Sequence, residues 1–242
     1  MLTTKIQDAF EYAAIAHAGQ CRKGTQIPYL SHLMAVASLV MEAAADGDGD
    51  LPEDYEDLVI AGLLHDVVED CGGPARLRDV RARFGDRVGD IVEHCTDAMP
   101  APGEQKPPWP ERKRAYLAGL EHKDDYRALL VTAADKLHNT RAIVTDLRNY
   151  QRQGLPPETF WRRFVDDKPD AKLEERVPEI LWYYQALADV LSRKAVEEVR
   201  ETGQGRLGRL AGELESAVGE MLGFAGEGRL RSQGNPAYEL SP

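Results

Sequence analysis

Cysteine is close to absent from this chain: three residues in 242, Cys21, Cys71 and Cys95, far apart and without a CxxC pair. That usage builds neither a disulfide framework nor a zinc knuckle, and the expectation is a reducing cytoplasm. No stretch of about 18 apolar residues occurs, so no segment reads as a membrane span. The opening MLTTKIQDAFEYAAIAH lacks the charged-then-apolar layout of a signal peptide. Positive charge is also in deficit, with 30 Lys and Arg against 41 Asp and Glu and a formal net charge of -11. A general nucleic-acid binder needs a basic stripe to displace counterions, so nucleic acid is excluded as the expected partner. The same deficit disfavours a polyphosphate ligand unless a local cation intervenes.

Segments that alternate apolar and polar residues are missing too, and helical periodicity fills their place. Ile6, Phe10, Ala13, Ala14 and His17 recur at three- and four-residue spacing, as do Met34, Ala37, Val40 and Met41. Further stripes run through Val59–Val67, Val80–Cys95, Leu129–Ile143 and Ile180–Leu191, and Leu207, Leu210, Leu214, Ala217 and Met221 mark a last one. The fold class is therefore all-α. Breaks fall at residues 46–52 (DGDGDLP), at 154–157 (GLPP) and at 100–110, where five prolines in eleven residues make a loop that carries Trp109. Asp46, Asp48 and Asp50 imitate the first ligands of a calcium loop. Leu51 stands where such a loop needs Gly, so a solvated acidic turn is the better reading.

All six histidines lie within the first 138 residues, and any chemistry is expected there. His65 and Asp66 close the apolar run AGLLHDVVED, with Glu69 and Asp70 a turn later. Four ionisable groups in six residues are hard to explain as a solvated face, although a helix end entering water at Cys71-Gly72-Gly73 is the plain alternative. His32 shares a stripe with Val36 and Leu39, where a core histidine is the ordinary reading. Asp135 follows TAA on an otherwise apolar face, an expensive position without an ion or a salt bridge to Lys or Arg. Asn139, four residues on, projects beside it. Two His and two Asp suit a divalent ion such as Mn2+, with positions left for water and substrate. Glu69 or Asp70 would then orient or deprotonate that water. Arg22 and Lys23 would place cations beside the ion for a phosphate.

The strings AHAGQCRKGTQIPYLSH (16–32), AGLLHDVVED (61–70), RFGDRVGDIVEHCTDA (83–98) and TAADKLHNTRA (132–142) resemble the HD-domain metal-dependent phosphohydrolases. Among these the chain is similar to the hydrolase domain of the RelA/SpoT type and to stand-alone small alarmone hydrolases. The resemblance spans roughly residues 5–190. It implies an HD-domain helical bundle with a C-terminal helical extension, divided at 1–198 and 199–242. It further implies Mn2+ on His32, His65, Asp66 and Asp135, a catalytic pair in Glu69 and Asp70, and nucleotide contacts from Arg22, Lys23 and Asn139. The implied reaction removes the 3′-pyrophosphate of (p)ppGpp, giving GDP or GTP and diphosphate. The RKGTQIPY loop departs from the shorter RxxGxPY form, which leaves base recognition open. An HD phosphohydrolase of another nucleotide (a ppApp-type alarmone, the 2′-phosphate of NADPH, or a deoxynucleotide monophosphate) is one alternative. A non-catalytic nucleotide-binding regulatory module is the other. The partner in each case is a small phosphorylated nucleotide, and the oligomeric state stays open, with the helix at 206–222 offering an apolar seam.

Overall fold

The computed structural model describes residues 2–46, 50–97, 107–165 and 172–224. Asp48, most of the proline-rich loop and the Gly-rich C-terminal segment lie outside these residues. Among the described residues the chain forms eleven α-helices and no strand: α1 Lys5–Ala16, α2 Leu30–Ala44, α3 Tyr55–Leu64, α4 Val67–Cys71, α5 Gly73–Phe84, α6 Asp86–Cys95, α7 Trp109–Glu121, α8 Tyr126–Arg152, α9 Pro157–Trp161, α10 Leu173–Thr202 and α11 Arg206–Phe224. A 3-10 turn, Arg162–Phe164, follows α9. The one β-type pairing is an isolated bridge between Cys21 and Pro28.

α8 is the axis. It packs against α2, α3, α6, α10 and α11, and thirteen of its side chains, from Ala128 to Leu147, are buried. α3 is buried on all sides from Leu58 to Leu64, as a short helix in the middle of a bundle must be. Gly62 lets α2 approach it closely, because a Cβ there would stand 3.2 Å from the Ala37 Cα. The expected stop at Cys71-Gly72-Gly73 is real: Gly72 adopts φ +142° and ends α4.

The first two helices bury Ala13, His17, Ala37 and Val40 of their expected stripes but turn two of the expected residues outward. Phe10 and Met34, placed on the buried stripes by sequence, are exposed, at 40% and 51%. The faces that pack are Ala9, Tyr12 and Ala13 in α1, and Leu33, Val36, Ala37 and Val40 in α2. Small residues win the contact in α1 because they let it lie close to α3, while Tyr12 reaches Asp79 with its hydroxyl at 2.7 Å. In α11 four of the five expected stripe residues are buried, Leu207, Leu210, Leu214 and Met221, with Val218 inside in place of the half-buried Ala217. That seam is spent within the chain, on α8 and α10, rather than offered to a second copy. Glu198 of α10 links the two helices by accepting from the Leu207 backbone N–H at 2.9 Å.

Candidate metal centre

Four elements converge at one point. α3 ends at Leu64, and His65 and Asp66 occupy the break before α4. His32 lies in the first turn of α2, and Asp135 a third of the way along α8. His32, His65 and Asp135 are 0%, 3% and 5% exposed, so the bland reading of a helix end entering water fails for His65. His32, His65 and Asp66 each place a donor atom within 4.8 Å of the others. Asp135 joins them through Oδ1, 3.2 Å from His32 Nε2 and 3.7 Å from His65 Nε2.

Hydrogen bonds on the outer side fix both imidazoles. The His65 Nδ1–H donates to the Gly62 carbonyl at 2.9 Å, which aims Nε2 at the two carboxylates. His32 is held less directly. Its Nδ1 lies 2.7 Å from Nδ1 of His138, which also receives Arg22 Nη1 at 3.0 Å. A guanidinium only donates, so His138 Nδ1 is an acceptor and His32 Nδ1 must carry the proton. Burial, His32 and Arg22 push the His138 pKa down to about 4, which keeps that ring neutral. The Nε2 atoms of His32 and His65 are both buried and make no hydrogen bond. Two orphaned imidazole nitrogens facing two carboxylates fit a divalent cation in donor type and charge.

The electrostatics agree. Burial works against ionising Asp66, yet His65 and His32 hold its pKa well below the usual carboxylate range. Asp135 is lowered in the same way against burial, by Lys136 first and then by the histidines. Its Oδ2 pairs with Lys136, and its Oδ1 accepts from Asn139 Nδ2 at 2.6 Å. Asp135 thus makes the salt bridge considered from sequence and also stands beside the two histidines. Burial opposes charging His65, but Asp66 and Asp135 outweigh it and raise its pKa well above 6.5, so an arriving ion must displace a proton.

The remaining expected residues surround the centre. Arg22 reaches in, donating to Asn139 Oδ1 at 3.0 Å as well as to His138. Lys23 turns outward instead, its Nζ 5.6 Å from the Phe164 ring centre. Glu69 is half-buried and faces Arg112 at 3.8 Å. Arg112 in turn holds both oxygens of buried Asp97 at 2.8 Å, and Lys113 holds Asp97 at 2.6 Å. Asp70 is exposed and accepts from Gln20 Nε2 at 3.0 Å.

Sequence reasoning missed His138, Tyr29, Lys136 and the Asp97–Arg112–Lys113 group. Tyr29 donates to Asp66 Oδ2 at 2.6 Å and stacks on His17, with ring centres 5.0 Å apart. Burial and then Asp66 raise its pKa far above 10, so it stays a donor. Tyr29 and His138 both lay inside matched strings, and His138 follows Asp135 by one helical turn, which was the available signal. Trp109 opens α7 and packs edge-on against Tyr183 at 5.6 Å, beneath Arg176. A separate pocket of about 470 Å³ adjoins the centre, lined among others by Arg22, Lys23, Asp146, Arg163, Phe164 and Tyr184 but not by Trp109.

The chain belongs to the HD-domain family, whose model matches residues 9–160. HD domains are metal-dependent, and the His32, His65 and Asp66 group is able to hold an ion. The chain is 32% identical over 183 residues to the guanosine-3′,5′-bis(diphosphate) 3′-pyrophosphohydrolase MESH1 of Drosophila melanogaster, covering 74% of this chain and 93% of that one. It is 31% identical over 158 residues to the bifunctional (p)ppGpp synthase/hydrolase SpoT of Escherichia coli, covering 64% of this chain and 20% of the much longer enzyme. Among solved structures it superposes on a metazoan ortholog of SpoT that hydrolyzes ppGpp, with a TM-score of 0.58 and 25% identity over 93% of this chain and 98% of that one.

Proposed function

We propose that the chain is a Mn2+-dependent hydrolase of the 3′-pyrophosphate of (p)ppGpp, releasing diphosphate and leaving GDP or GTP. The observation that carries this reading is the pair of buried, unpartnered Nε2 atoms of His32 and His65 facing Asp66 and Asp135, with Arg22 and Asn139 directly beside them. The names of MESH1 and of the SpoT-type relatives support the substrate.

His32, His65, Asp66 and Asp135 would hold the ion. When bound, a divalent ion supplies Lewis acidity toward a phosphoryl oxygen and lowers the pKa of water beside it. Glu69 and Asp70, one turn beyond Asp66, take the proton from the attacking water. Asp70 is steadied for this by Gln20, which His17 Nδ1 contacts at 2.7 Å. Arg22 and Asn139 orient the ester next to the centre, and Lys23 sits at the outer rim of the pocket to attract the remaining phosphates. A local excess of cations at this pocket answers the acidity of the chain as a whole. The hydrolase unit is residues 1–198, with 199–242 as its extension. Three free cysteines suit a reducing cytoplasm.

The test is a substrate panel of ppGpp, pppGpp, ppApp, NADPH and deoxynucleotide monophosphates with Mn2+, comparing wild type with Asp66→Ala. Diphosphate release from ppGpp that needs both Mn2+ and Asp66 is the expected result. Release of orthophosphate from NADPH or a deoxynucleotide monophosphate alone would move the chain to another HD phosphohydrolase class. Nucleotide binding without any turnover would make it a regulatory module.

A further inference from the structure

Among the described residues the pocket beside the metal centre is lined by four cations, Arg22, Lys23, Arg141 and Arg163, and by a single carboxylate, Asp146. In a pocket that collects phosphates a carboxylate works against the rest of the lining, because it repels the anion the arginines attract. Part of Asp146 is accounted for. Its Oδ2 accepts from Arg163 Nη1 at 2.8 Å, while Arg163 stacks on the Phe160 ring at 4.0 Å. Among the described residues it makes no other hydrogen bond, and its side chain is 32% exposed, so Oδ1 is available to a ligand.

Its position along α8 decides what part of the ligand it meets. Asp135, Asn139, Ala142 and Asp146 follow one another at four-, three- and four-residue steps, one stripe of the helix, with Ile143 beside Ala142. At a rise of about 1.5 Å per residue, Asp146 stands roughly 16 Å along the axis from Asp135. That is comparable to the reach of a nucleotide from its 3′-diphosphate to the far edge of its base. Ala142, Ile143 and Phe164 line the same stretch and give it an apolar flank for a ring.

We infer that Asp146 reads the base and selects guanine over adenine. The inference rests on the reading above, in which the reacting phosphate lies at His32, His65, Asp66 and Asp135. Guanine presents two N–H donors, N1–H and the N2 amino group, on one edge, and a carboxylate only accepts. Adenine presents a lone pair at N1 to the same carboxylate, which leaves both groups desolvated and opposed. Such a polar reader discriminates far more strongly than an apolar wall.

The test is equilibrium binding of GDP and ADP to the Mn2+-loaded protein, run beside hydrolysis of ppGpp and ppApp. Wild type is expected to prefer GDP by about tenfold or more, the scale of one good bidentate base contact. Asp146→Asn presents one donor and one acceptor, which suits adenine, so the preference should vanish or invert. Arg163→Gln breaks the ion pair but keeps the carboxylate, and should lower both affinities while the GDP-to-ADP ratio stays near wild type. A wild type without GDP preference overturns the inference, as does an Asp146→Asn variant that weakens both nucleotides equally. A GDP preference lost in Asp146→Asn, in a protein that cleaves no alarmone, would instead retain the base reader and remove the proposed reaction.

Discussion

His138 offers the sharpest handle on the metal centre, because it touches no proposed ligand position on the ion itself and yet fixes the proton of one. Two donors converge on its Nδ1, His32 Nδ1 at 2.7 Å and Arg22 Nη1 at 3.0 Å. His138→Leu keeps the bulk and removes the acceptor. His32 is 0% exposed, so its Nδ1–H would lose its partner in a place water does not reach. An orphaned buried donor costs about 1–3 kcal/mol. The ring can recover by moving its proton to Nε2, which would put a donor where the ion needs a lone pair. Loss of such a supporting partner typically weakens metal affinity by about 10–100-fold, on the order of 1.4–2.8 kcal/mol. The assay is a competitive Mn2+ titration against a chelator, with thermal unfolding of the metal-free protein as a check on folding. His138→Gln, whose amide oxygen still accepts, should recover most of the affinity. A His138→Leu protein that folds and binds Mn2+ within about twofold of wild type would refute the tautomer argument.

Three further outcomes are expected. Because the His138 pKa falls from 6.5 to about 4 on folding, the unfolded chain binds the extra proton between these values. The contribution of His138 to the stability of the metal-free protein should therefore be full above about 6.5 and decline as pH falls toward about 4, and between these values melting curves of wild type should show a slope that His138→Gln lacks. Glu69→Gln combined with Asp70→Asn should leave Mn2+ affinity nearly intact and abolish turnover, so equal turnover would place the general base elsewhere. Trp109→Ala should cost about 1–3 kcal/mol of stability through its lost aromatic and cation–π contacts with Tyr183 and Arg176. Its diphosphate release per folded molecule should match wild type, and a large fall there would show that α7 shapes the site directly.

The chemistry was legible wherever a polar group interrupted an apolar pattern. Asp135 after TAA and His65-Asp66 after AGLL were hard to read as solvated residues, and they lie in one cluster, with His65 and Asp135 buried and Asp66 half-buried. His138 carried no comparable signal. Its role depends on Arg22, 116 residues earlier, and on His32, and no local pattern encodes a tertiary pairing of that kind. Asp97 was hidden for the same reason, since its partners Arg112 and Lys113 lie across the proline-rich segment. The all-α class and most of the buried stripes followed from periodicity, but the outward turn of Phe10 and Met34 did not. In α1 and α2 the apolar residues outnumber the places available in the core, and neighbour distance chose Ala9 over Phe10 and Leu33 over Met34.

The family model ends at residue 160, whereas Arg163, Phe164 and Tyr184, which line the pocket beside the candidate metal centre, lie beyond it. Every proposed ligand and the acidic pair fall inside the matched segment. The reacting end thus falls wholly inside the matched segment, while the recognising end straddles its boundary, with Arg22, Lys23, Asn139 and Asp146 inside and Arg163, Phe164 and Tyr184 outside. A change of diet, from one nucleotide to another, would then call for substitutions at Asp146 and in the wall after α9, and leave the two histidines and two aspartates untouched.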